Sequence, residues 1–133
     1  MPVADDVDAP AEVRVLVRAA ATLVPKLARC VARCTTEADP GQDLARACGA
    51  VASSYLTLQR DLERMPRSGL VDELGRLLDY QQLVLAQAAS LAFRPRSTGW
   101  YRLAARFGDG WGEPAARLIE LAALLGPAVT DRV

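Results

Sequence analysis

The chain contains no histidine. It therefore lacks the side chain that most often moves protons near neutral pH and most often binds transition metals. Lysine is nearly missing too: Lys26 is the only one among the 16 basic residues, and the rest are arginine. With the abundant alanine, this bias matches the codon usage of a GC-rich bacterial genome, so no single arginine requires a functional explanation. Long apolar runs are also lacking. The longest stretch without charge, Tyr80 to Phe93, falls short of the roughly 20 residues that cross a bilayer as a helix. The first residues carry Asp5, Asp6 and Asp8 where a secretory signal would be basic. A cytoplasmic protein without a membrane partner is expected.

Cysteine is sparse: Cys30, Cys34 and Cys48 are the only three. Cys30 and Cys34, spaced i and i+4, can share one helical face. Without a fourth thiolate or a histidine, one chain cannot close a structural zinc site. Core packing is the expected role of these thiols. Neither a metal nor a cofactor is expected.

What is present describes a globular domain. Half of the residues are hydrophobic (51%) and 24% are charged, in a chain of 133 residues, which suits one domain with one core. Sixteen bases balance sixteen acids, so any electrostatic function must come from local asymmetry rather than a global field.

Residues 1–9 have no periodicity and read as a frayed tail ahead of a single domain at 10–133. Asp8 and Pro10 then start a helix whose apolar positions (Val13, Leu16, Val17, Ala20, Leu23, Val24, Leu27, Val31, Cys34) recur at three- and four-residue intervals. Pro25 lies inside this run. It removes one backbone hydrogen bond and bends the helix, but the apolar face continues beyond it. Asp39, Pro40 and Gln42 predict the cap and first turn of a second helix. Leu44, Ala47, Cys48, Val51, Tyr55, Leu58, Leu62 and Met65 line that helix, and Pro66 ends it. Ser68 caps a third helix carrying Leu70, Leu74, Leu77, Leu78, Val84, Leu85, Ala88 and Leu91, stopped by Pro95. A short segment then runs to about Phe107. Gly108, Gly110 and Gly112 break the chain before a last helix from Glu113 and Pro114 to Gly126. The spacing predicts an all-α, four-helix-type bundle of three long antiparallel helices and a broken C-terminal one.

Two stretches are candidates for function. The first is an arginine–aromatic segment. Phe93, Trp100, Tyr101, Phe107 and Trp111 are interleaved with Arg94, Arg96, Arg102 and Arg106, and no acid occurs between Asp79 and Asp109. Arginine forks hold phosphate or carboxylate, and rings fill a partner's pocket or stack on bases. Equally, Phe93, Trp100, Phe107 and Trp111 can plug one end of the bundle beneath arginines, with Trp100, Leu103 and Phe107 as a buried stripe. The candidate partner-binding residues are Arg94, Arg96, Trp100, Arg102, Arg106 and Trp111. Trp100 is expected to be structural, with Trp111 and Arg102 or Arg106 at least partly exposed.

The second is the outer face of the first helix. Arg14, Arg18, Lys26, Arg29 and Arg33 fall within a sector of about 120°, and no acid lies between Val13 and Thr36. Such a face suits phosphates or an acidic partner, unless neighbouring acids neutralise it. Asp109 and its flanking glycines resemble no nucleotide-binding loop, because no strand precedes them and no Lys-Ser/Thr pair follows. Asp79 is expected to pair with Arg76, one turn earlier.

No catalytic constellation is recognisable. The expected function is a non-catalytic interaction or regulatory protein acting through protein–protein contacts. The last helix, apolar almost all round, suggests a homodimer or another protein as partner. A nucleic-acid-contacting helical subunit is the alternative, and a small-ligand-binding bundle a further one.

Overall fold

The computed structural model describes residues 10–37, 40–110 and 112–125, with the side chains of 106–110, 112 and 113 excepted. Within these it is all-α, and no strand occurs among the described residues. The helices are α1 (Ala11–Thr36), α2 (Gln42–Glu63), α3 (Gly69–Ala92), α4 (Thr98–Gly110) and α5 (Gly112–Leu125).

The helix starts differ in how they are closed. Ser68 caps α3 as its sequence predicts, its hydroxyl accepting a 3.1 Å hydrogen bond from the Val71 amide. Ser97 does the same for the Trp100 amide at the start of α4, at 3.2 Å. By contrast, α2 starts two residues later than its Asp-Pro signal suggests, with Gly41 as N-cap and no side-chain cap bond. Asp39 and Asp8 lie outside the described residues, so the caps expected of them do too. Pro25 sits within an uninterrupted α1 and is solvent-exposed. The ring is therefore carried on the outer face, where it displaces no packing. The glycine-rich stretch breaks the chain less than its composition implies, because α4 continues through Gly108 to Gly110 and α5 begins at Gly112.

Every apolar stripe predicted for α1 and α3 faces inward. One cluster of buried side chains from α1, α2, α3 and α5 forms the core. Helices α1 and α3 form its central pair: each touches the other, and both touch α2 and α5. Among the described residues α2 and α5 do not touch, so they lie on opposite flanks. The Arg14 guanidinium donates a 3.0 Å hydrogen bond to the Leu125 carbonyl. This satisfies an orphan acceptor at the end of α5 and sets α5 antiparallel to α1. Arg117 on α5 binds Glu73 on α3 through two hydrogen bonds of 2.5 and 3.0 Å. The guanidinium holds the Glu73 carboxyl below the usual carboxylate range.

The core is aliphatic apart from its three cysteines and one polar pair. Tyr55 is fully buried and donates its hydroxyl to Gln81 Oε1 at 2.5 Å, with Gln81 itself 1% exposed. Gln59 and Gln82 pair one turn away at 3.2 Å. These two bonds align α2 with α3. The other end of the Gln81 amide, Nε2, has no partner among the described residues.

Because both groups are buried, removing one strands the other. Tyr55→Phe is expected to cost about 1–3 kcal/mol, the penalty for an unsatisfied buried acceptor. Adding Gln81→Leu to it should recover much of that loss, since an apolar pair needs no hydrogen bond. Urea melts of the two single variants and the double variant read this directly. A double variant less stable than Tyr55→Phe would refute it.

Candidate functional site

The arginine–aromatic segment divides between fold and surface. Trp100 is 5% exposed and donates its indole Nε1–H to the Leu91 carbonyl at 2.7 Å, near the end of α3. Arg96 lies over this ring, its guanidinium carbon 3.9 Å from the centroid. The same guanidinium donates to the carbonyls of Ala92 and Arg94, and to that of Glu37 beyond the end of α1. Arg96 thus closes two helix ends at once, and its donors are directed at backbone. Of the partner-binding candidates, Trp100 and Arg96 have their polar groups occupied within the chain.

The remaining candidates lie elsewhere. Phe93 is 53% exposed and Leu103 38% exposed, so neither belongs to a buried plug or stripe. Phe93 follows the last residue of α3, where the helix no longer directs it inward. Leu103 is one turn beyond Trp100 on the short α4. Tyr101, edge-on to Trp100 at 5.1 Å between centroids, is 62% exposed. Arg94 and Arg102 are exposed. Trp111 and the side chains of Arg106 and Phe107 lie outside the described residues.

On α1 the predicted basic stripe is only partly available. Arg14 is committed to the Leu125 carbonyl, and Arg33 forms an ion pair with Glu37. Arg18, Lys26 and Arg29 are exposed, and no ion pair involves them among the described residues. They span about 17 Å of helix. The Asp79–Arg76 pair expected from their spacing is not formed.

All three cysteines are buried. Cys34 Sγ lies 3.7 Å from Cys48 Sγ, and all three thiols are free. Loss of solvent, reinforced by Cys48, pushes the Cys34 thiol up to about 12, and Cys30 is raised for the same reasons. The nucleophilic thiolate is thus disfavoured at neutral pH. Among the described residues no three His, Cys, Asp or Glu side chains are grouped to hold a metal ion. No helix among them is long and apolar enough to cross a membrane.

A surface furrow adds to the features read from the sequence. A furrow of about 720 Å³ runs between α2 and α3, floored by Ala45, Gly49, Ala52, Ala86 and Ala89. Leu56 (48% exposed), Leu83 (53%) and Phe93 (53%) stand at its ends. A second hollow on the same two helices is lined by the charged residues Glu63, Asp72, Arg76 and Asp79 among others. The cause lies in the sequence: residues 47–59 of α2 and 80–93 of α3 carry no charge, and the antiparallel register lays them side by side. On α5, Ile119 (53%) and Leu124 (56%) are also exposed, as the all-round apolar character of that helix implied.

No family model, curated protein or solved structure matches this chain.

The division of the aromatic segment has a measurable consequence. Trp100→Ala is expected to cost about 3–5 kcal/mol, through lost burial and the cavity left behind. Tyr101→Ala and Arg102→Gln, both at exposed positions, should stay within about 0.5 kcal/mol of the parent. Thermal or denaturant melts compare them; equal losses for Trp100→Ala and Tyr101→Ala would contradict the assignment.

Proposed function

We propose that this chain is a non-catalytic interaction protein that works in the cytoplasm by docking protein surfaces against its helices. The observation carrying this reading is the uncharged furrow between α2 and α3, with Leu56, Leu83 and Phe93 each about half exposed beside it. Solvated helix faces normally carry charge, and an apolar, concave face without it gains by being covered. The side chains with catalytic potential support the same reading. All three cysteines are buried, Cys30 and Cys34 with raised pKa values, and Glu73 is tied to Arg117. Three free thiols, two of them within 3.7 Å of each other, suit a reducing compartment.

A site-specific photo-crosslinker tests this in cells that express the protein natively. Placed at position 83 or 93, it should yield discrete protein adducts, and placed at the exposed position of Arg64 it should not. Absence of adducts from both furrow positions would overturn the reading.

One observation favours a second partner class, nucleic acid: Arg18, Lys26 and Arg29 form a basic stripe without carboxylate partners among the described residues. Three phosphate contacts would give a salt slope of about −2 to −3 in a plot of log affinity against log salt. Replacing the three residues with Gln should flatten that slope. Binding that is absent at low salt removes this reading.

A further inference from the structure

We infer that the furrow between α2 and α3 is occupied by a second copy of this chain, related by a two-fold axis that sets the two α3 helices antiparallel. The inference rests on the reading of the furrow as an interaction surface, and the pattern of charge along it identifies the occupant. The uncharged run of α3 is bounded by Asp79 at one end and Arg94 at the other. Both belong to this face. Asp79 lines the charged hollow on the same two helices, one turn before Leu83 of the furrow, while the Arg94 guanidinium reaches back to Ser90 Oγ at 3.4 Å, and Ser90 lines the furrow itself. Both are exposed, and neither has an ion-pair partner among the described residues.

A face with opposite charges at its two ends matches an inverted copy of itself. About a dyad close to Ala86, Asp79 meets Arg94 of the second copy, and symmetry repeats the pair at the other end. A parallel pairing would instead set like charge against like. The packing follows the same register. Asp79, Leu83, Ala86, Ser90 and Arg94 recur at three- and four-residue intervals, the spacing of a helix–helix seam. Inversion places the protruding Leu83 over Ser90 of the second copy, next to the Gly49 and Ala89 floor. Large side chains thus meet small ones at both ends, and the small residue Ala86 lies at the dyad, where the helices approach most closely.

The size of the face sets the strength. From Asp79 to Arg94 it is about 23 Å long and two helices wide, close to 500 Å² per copy and about 1,000 Å² in the pair. That is the lower limit for a specific interface, so the dimer should be reversible and dissociate in the micromolar range.

Sedimentation velocity over a concentration series tests the proposal. The parent chain should show a monomer–dimer equilibrium. Asp79→Arg or Arg94→Asp alone, each placing like charges at both ends, should weaken it about ten-fold or more. The double variant, with the charges exchanged, should restore it. Gly49→Leu supplies a second, fold-neutral probe, because a Cβ at Gly49 meets nothing within 4 Å and leucine favours helix over glycine. It should abolish the dimer without lowering the melting temperature. A parent chain that remains monomeric at hundreds of micromolar overturns the second copy as occupant, even where crosslinks from position 83 to another protein uphold the furrow as a docking surface. A dimer insensitive to Gly49→Leu overturns the site. A dimer lost in Gly49→Leu but indifferent to both charge reversals overturns the antiparallel register.

Discussion

A single buried hydrogen bond, from the Tyr55 hydroxyl to Gln81, fixes how α2 lies against α3, and the surface of the protein follows from that alignment. Aliphatic side chains alone tolerate sliding, because one leucine replaces another at small cost. A buried hydroxyl and a buried amide do not, since displacement by one turn leaves both unsatisfied. The bond therefore selects one register among several that the leucine pattern would accept. In that register the two uncharged segments, 47–59 and 80–93, run side by side. A shift of one turn would set charged residues of one helix beside the uncharged stretch of the other.

One end of the bundle is held by a different device. Helices α1 and α3 finish close together, and their last carbonyls need donors. Arg96 supplies them to Glu37 and Ala92 while its flat face covers Trp100. One side chain thereby satisfies two helix termini and shields an indole, which the single-pointed ammonium of lysine could not do. The cost to function is direct. The residues with the most obvious capacity for recognition, an arginine stacked on a tryptophan, are consumed in closing the fold, and the neighbouring Tyr101 and Arg102 are left exposed instead.

The fold was legible because its signals are local and repeated. The stripe from Val13 to Cys34, the Ser68 cap and the Pro95 stop each act within a few residues, and each is where the spacing predicts it. The glycines between 108 and 112 misled because glycine only lowers helix propensity, by about 1 kcal/mol relative to alanine. α4 absorbs Gly108 and Gly110. Gln81 was invisible for a different reason: a polar residue at a core position looks like an error until its partner, 26 residues away, is known. The furrow required the same knowledge. The run from Tyr80 to Phe93 is plain in the sequence, but only its alignment with a second uncharged run turns it into a surface. Phe93, assigned inward by type, is exposed because it follows the end of its helix.

The arrangement of the helices explains why this face remains open. In a square four-helix bundle each helix has two neighbours, and four grooves are shared evenly around the barrel. Here α1 and α3 form a central pair, with α2 on one flank and α5 on the other. The α5 flank is tied by Arg14 to the Leu125 carbonyl and by Arg117 to Glu73. Among the described residues no further helix packs on the α2 flank, so its outer groove with α3 is uncovered by them although it contains the least charged sequence in the protein. Selection for solubility alone would place arginine or glutamate at exposed positions such as Gly49, Ala86 or Ser90. Small uncharged residues there are instead what a close-approaching helix requires, and the half-exposed leucines and phenylalanine beside them are what such a helix would bury.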